Sequence, residues 1–170
     1  MDHITGAIPL LADSLLTFPP KAQEEVLKIF TICMIRKPAD GEGDDRVACL
    51  SDICPGLVSL ISSPQEAIQE ATLSLLSQLT RTEPHKSSIT TSSCLARLLE
   101  CTESKNVNIT LLSLTIISDC WCNDVDSSEL ASVGKDLNVF TPLLSSPEDA
   151  IVGRAVYVLE SLSTFGEPNF

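Results

Sequence analysis

Basic and aromatic residues are scarce in this chain of 170 residues: 11 Lys and Arg stand against 23 Asp and Glu, and aromatics make up 4% of the sequence. The net charge of −12, with no Lys/Arg stripe to displace counterions, argues against binding to a nucleic-acid backbone. One Trp, one Tyr and five Phe leave the core to be built from Leu, Ile, Val and Ala, residues that helices use well. No uncharged apolar run is long enough to cross a bilayer, so no membrane insertion is expected, and Met1-Asp2-His3-Ile4 lacks the basic start of a secretory signal. A cytoplasmic protein is the expectation, with the nucleus left open. Enzyme signatures are missing too: there is no Gly-rich phosphate loop, nucleophile elbow or His-Glu-x-x-His helix, so neither a catalytic residue nor a cofactor is expected.

What the chain does contain is enough apolar material for a sizeable core, 44% of its residues. Its seven cysteines (33, 49, 54, 94, 101, 120 and 122) are an odd count, which suits free, mostly buried thiols in a reducing compartment better than a disulfide framework. Cys120-Trp121-Cys122, taken with Cys49, Cys54 or His85, invites a metal site. The paired C-x2-C spacing of a structural zinc site is absent, however, and core packing is the simpler reading. His3 and His85 are expected to be exposed or locally bonded.

Self-similarity decides the fold. The apolar offsets 0, +3, +4, +7, +8 and +11 of a 3.6-period helix recur from Ala22, Ile68, Ile109 and Ile151, starts separated by 46, 41 and 42 residues. The +7/+8 pairs are Ile29/Phe30, Leu75/Leu76, Ile116/Ile117 and Val158/Leu159. Position +4 holds Val26, Thr72, Ser113 and Ala155, mostly small, and +3 breaks the stripe at Glu25 and Arg154. A shorter helix precedes each long one, marked by Ala12/Leu15/Leu16, Leu57/Leu60/Ile61, Leu95/Leu98/Leu99 and Phe140/Leu143/Leu144. Pro19-Pro20, Pro64 and Pro147 sit between the two helices, where they suit the first turn of the long helix; Cys101–Ser104 replaces them in the third unit. Residues 46–53, 86–92 and 127–133 have room for a third short helix, and 37–45 reads as a solvated acidic loop. The expectation is a single domain over 1–170, with repeats near 4–36, 45–82, 85–122 and 127–165.

This pattern resembles the armadillo repeat superfamily. The resemblance rests on Gly56 followed by LVSLISSPQEAIQEATLSLLSQL at 57–79, on FTPLLSSPEDAIVGRAVYVLESL at 140–162, and on GAIPLL at 6–11. HEAT repeats are the near alternative; the glycine-opened second helices and short third segments favour armadillo. More loosely, residues 57–89 are similar to armadillo arrays that follow a TPR domain in chaperone-like assembly factors for motor proteins. The resemblance implies an all-α, right-handed superhelix of about four repeats, acting as a non-catalytic protein-binding scaffold whose long helices form a concave surface. The alternative it leaves open is a co-chaperone-like clamp or assembly factor acting on a client ATPase or motor protein.

In the family, a ladder Asn and a Trp one turn earlier grip an extended peptide. Those positions fall here at +10, on Ile32, Gln78, Asp119 and Ser161, and at +6, on Lys28, Ser74, Thr115 and Tyr157. None carries the Asn or Trp of the import-receptor pattern, which speaks against nuclear-signal recognition; Gln78, Asp119 and Ser161 remain polar groups able to hydrogen-bond a partner. The chain's own residues add Trp121 and Tyr157 as candidate anchors, since aromatic groups with a polar edge dominate interface centres; for Trp121 the alternative is that it caps the core of the third repeat. Arg81, Lys86, Arg97 and Lys105 read as a solvated face. The acidic balance favours a partner with a basic segment, and the truncated first repeat leaves end-to-end self-association possible.

Overall fold

The computed structural model describes residues 10–35, 50, 53–81, 83–122 and 139–165, among which there is no strand. The chain divides into two compact units, Met1–Ile89 and Thr90–Phe170. The loop at 37–45, the segment 127–133, His3, Cys49, and most of 46–53 and of the GAIPLL stretch lie outside the described residues.

In the first unit, residues 10–14 are helical and tighten into a 3-10 turn at Leu15–Thr17. Pro20 opens α1 (Pro20–Ile35), where its fixed φ is already helical and its missing N–H costs nothing. There follow α2 (Cys54–Leu60), α3 (Glu66–Leu79) and α4 (Glu83–Ile89). α1 lies along α3, while α2 packs on α3 and α4. Leu27, Phe30, Leu57, Ile61, Leu73 and Leu76 are wholly buried there, each adding about 1.5–3 kcal/mol of apolar burial. Gly56 is placed inside α2, not ahead of it, and a Cβ there would stand 3.4 Å from Leu16 Cδ1, an ordinary van der Waals contact.

The second unit holds α5 (Ser92–Thr102), α6 (Val107–Ile117) continuing into a π-helical turn at Ser118–Cys122, a 3-10 turn at Thr141–Ser145, and α7 (Asp149–Phe165). α6 packs on both α5 and α7, and α7 also meets the π turn and the 3-10 turn. Leu95, Leu98, Ile109, Leu114, Ile117 and Val158 are wholly buried within this unit.

The four long helices α1, α3, α6 and α7 begin at residues 20, 66, 107 and 149, two residues ahead of each apolar stripe, so the 46, 41 and 42 spacing is kept. All four +4 residues are buried, and their small size has a second use. Thr72 and Ser113 donate their hydroxyls to the carbonyls four residues back, Ile68 at 2.7 Å and Ile109 at 2.8 Å, so neither brings an unsatisfied polar group into the core. Ahead of the last three long helices the same device recurs. Ser63, Ser104 and Ser146 each accept, through Oγ, the backbone N–H two residues on, at 3.3, 3.1 and 3.2 Å.

Several expectations are corrected. Pro64 and Pro147 stand two residues ahead of α3 and α7 rather than in their first turns, because the serine turns hold Gln65 and Glu148 just before helix begins. The short helix expected at Phe140–Leu144 is only a 3-10 turn. The one expected at 86–92 is α4, ending at Ile89, and Ser92 already belongs to α5, whose N-cap Thr91 accepts from Cys94 N at 3.3 Å. His85 is completely buried, not exposed, and Lys86 is only 8% exposed, so it does not belong to a solvated face.

Candidate protein-binding surface

On an α-helix, positions +6 and +10 are one turn apart on the same face, rotated away from the +4, +7, +8 and +11 stripe that enters the core. The structure keeps all eight off the core: Lys28, Ile32 and Tyr157 are exposed, and Ser74, Gln78, Thr115, Asp119 and Ser161 are half-buried. In the first unit the pairs lie on α1 and α3, which pack together; in the second they lie on α6 with its π turn and on α7, which also pack together.

The polar capacity of these residues differs. Lys28 is held by Glu24 and Glu25 on its own helix, and those two hydrogen bonds push its pKa up. Thr115 donates to Leu111 O at 2.8 Å and Ser161 to Tyr157 O at 2.9 Å, so both hydroxyls already serve their own helix backbone. Within the described residues, Gln78 and Asp119 have side chains with no such bond and keep their full hydrogen-bonding capacity for a partner.

Asp119 is carried by the π turn, where the i→i+5 pattern widens the helix. Cys120, Trp121 and Cys122 are consecutive and all buried, at 2%, 2% and 8% exposure, while Asp119 stays half-buried. Of the two readings of Trp121, the structure favours core packing over a surface anchor: at 2% exposure its ring offers no surface to a partner. Burial raises the Cys122 thiol pKa; a hydrogen bond with Ser161 opposes that, and the Asp119 charge adds to it. Among the described residues no group of three or more His, Cys, Asp and Glu could hold a metal ion.

One polar contributor escaped the sequence reading. Arg154, at a broken +3 position, is half-buried on α7 and donates from Nη1 to Ser118 Oγ at 3.2 Å, while Ser118 Oγ donates to Thr115 O at 2.9 Å. A charge standing at a stripe position was the available signal. The π turn left no comparable mark in the sequence.

No protein-family model matches the sequence, and no curated protein does. Solved structures do. An engineered protein superposes with a TM-score of 0.77 at 15% identity, over 97% of this chain and 66% of its own. A designed armadillo repeat protein in complex with the peptide (KR)4 gives 0.75 at 13% identity, over 92% of this chain and 64% of its own. Computationally designed armadillo repeat proteins for modular peptide recognition give 0.75 at 13% identity, over 91% of this chain and 63% of that one. This chain thus spans less than two thirds of the length of each of these structures. Among the described residues no helix is long and apolar enough to cross a membrane. The chain has an all-α, armadillo-like helical-repeat fold.

Proposed function

We propose that this chain is a non-catalytic scaffold, one array of four repeats near 4–36, 45–82, 85–122 and 127–165, that binds an extended partner segment on its long-helix faces, the concave surface of an armadillo array. The observation that carries this reading is the separation of roles along each long helix. The +4 residues and three of the four +8 residues are buried, with Leu159 half-buried, whereas +6 and +10 face away from the core with Gln78 and Asp119 uncommitted. Lys28, Ser74, Thr115, Tyr157 and Ser161 complete the proposed contact set, and Trp121 is left out of it. A partner bound this way makes many small contacts, with Gln78 and Asp119 supplying hydrogen bonds to its backbone or side chains.

The net charge of −12 supports a basic partner segment, as does the (KR)4 peptide bound by one designed armadillo protein of the same fold. Fluorescence anisotropy with labelled (KR)4 peptide tests the reading. Wild-type chain is expected to bind in a salt-dependent manner, and Gln78→Ala with Asp119→Ala to weaken binding several-fold while leaving the helical circular dichroism intact. Equal binding by the double variant would move the surface elsewhere. Affinity capture from cells, with the same variant as control, would then identify the natural partner.

A further inference from the structure

Away from the long-helix faces, the second unit contains a cleft of about 520 Å³ between two helix junctions, the one from Thr102 to Val107 and the one from Val139 to Ile151. Its size lies within the roughly 300–1,000 Å³ of ordinary ligand sites. Its apolar lining is Val107, Val139, Leu143 and Ile151, with the rings of Pro142 and Pro147. Val107 is 42% exposed, an apolar side chain at the start of a helix left open to solvent.

Both walls are held from within. Ser104 Oγ accepts the Asn106 N–H at 3.1 Å, Ser104 O accepts the Thr110 hydroxyl at 3.1 Å, and Ser146 Oγ accepts the Glu148 N–H at 3.2 Å. These bonds fix the junctions before any ligand arrives, which lowers the ordering cost of binding. The rim carries Glu103, Glu148 and Lys105, all exposed, and among the described residues none of the three forms an ion pair.

This charge pattern selects the occupant. A purely apolar ligand would leave the charge of the two rim carboxylates unmatched. An acidic segment would meet Glu103 and Glu148, and a run of basic residues would meet Lys105. The remaining complement is one aliphatic group for the apolar lining and one cation for the carboxylates of the rim. We propose that this cleft is a second peptide-docking site, separate from the long-helix faces, for a segment presenting an aliphatic side chain beside a single lysine or arginine.

The full chain, labelled with ¹⁵N, is titrated with the capped peptide Ala-Leu-Arg-Ala and with controls in which Arg is replaced by Glu, Leu by Ser, or a second Arg is added. The expected result is saturable shifts at the amides of Ser104, Lys105, Val107, Leu143 and Glu148, with every control binding more weakly. Glu103→Gln with Glu148→Gln is expected to weaken the parent peptide by roughly fivefold and to remove most of its salt dependence. Val107→Arg, at an exposed position that leaves folding intact by circular dichroism, is expected to abolish the shifts. Three results would each overturn the proposal: no saturable shift at these amides, an equal response to the Glu control, or shifts centred on Thr115, Asp119, Tyr157 and Ser161. None of the cleft residues belongs to the Gln78/Asp119 contact set, so failure of either site is read independently of the other.

Discussion

α1 and α6 are both long helices that carry the recurring apolar stripe, yet they are built differently. α1 buries only Val26, Leu27 and Phe30, and leaves Ile29, Ile32 and Ile35 exposed at 45%, 55% and 62%. α6 buries Ile109, Thr110, Ser113, Leu114, Ile116 and Ile117, and Val107 is its one exposed large apolar residue. The difference lies in the neighbours: among the described residues α6 packs against both α5 and α7, whereas α1 packs chiefly against α3. A helix flanked on two sides needs apolar residues nearly all round, with small ones where its neighbours come close. The sequence of α6, VNITLLSLTII, reads that way.

The comparison breaks most sharply under charge insertion. Ile116→Asp in α6 places an unpaired carboxylate at a wholly buried site and is expected to cost about 4 kcal/mol or more. Ile32→Asp in α1, at 55% exposure, is expected to change stability by no more than about 0.5 kcal/mol. Urea denaturation of the two variants provides the check, and equal losses would mean that α1 is as enclosed as α6.

Helix ends give the next largest contrast. Asn106 caps α6 through Oδ1, which accepts the Asn108 N–H at 3.0 Å and the Ile109 N–H at 3.5 Å, while Gln65 at the same place before α3 makes no side-chain cap bond. Asn106→Ala is therefore expected to destabilise by about 1 kcal/mol and Gln65→Ala by only a few tenths. Equal small losses in thermal melts would show that the serine turn, present at both junctions, holds the helix start without the Asn106 side chain.

Local periodicity made the long helices legible. It placed their starts within two residues, because the side chains of the first two helical positions precede the core-facing stripe. It also placed Gln78 and Asp119 off the core, a consequence of the 3.6-residue turn that needs no knowledge of neighbours. What depends on neighbours stayed hidden. The sequence around Ile29 and Ile32 looks as amphipathic as that around Leu75, and nothing local reveals that one stripe is covered and the other open. Burial of His85 and Lys86 stayed hidden for the same reason: each residue type is ordinarily found at a surface, and tertiary packing overrode that preference. The π turn adds one residue to a helical turn without demanding any particular residue type, so Ser118–Cys122 read as plain helix end.

Cysteines sharpen the contrast between open and enclosed helices. Cys33 on α1 is half-buried, whereas Cys122 at the end of the π turn is enclosed with a raised pKa. With Cys49→Ser as background, a thiol-selective disulfide reagent at pH 8 is expected to modify Cys33 first and Cys122 far more slowly. The sign of the pH effect follows from linkage. The native thiol keeps its proton to higher pH than the unfolded one, so its contribution to stability is complete below the unfolded pKa and is lost as pH rises through the native one. Cys122→Ala is expected to flatten the decline of stability on the alkaline side, and an unchanged slope would assign that decline to other groups.

The smallest effect concerns α7, where Gly153 is exposed within a helix of 17 residues and a Cβ built on it would meet nothing within 4 Å. Glycine there carries a backbone entropy cost that the packing of this unit does not require. Gly153→Ala is expected to raise stability by about 0.4–1 kcal/mol, seen as a higher melting temperature. Val156, Tyr157 and Glu160 are exposed at three, four and seven residues further on, so the glycine begins an open stripe that includes one of the proposed contact residues. If the alanine variant gains stability but loses affinity for (KR)4, the bare backbone at this point is a place where the partner comes close. If affinity is unchanged, the partner contacts on α7 are confined to Tyr157 and Ser161, and the stripe beyond them is ordinary helix surface.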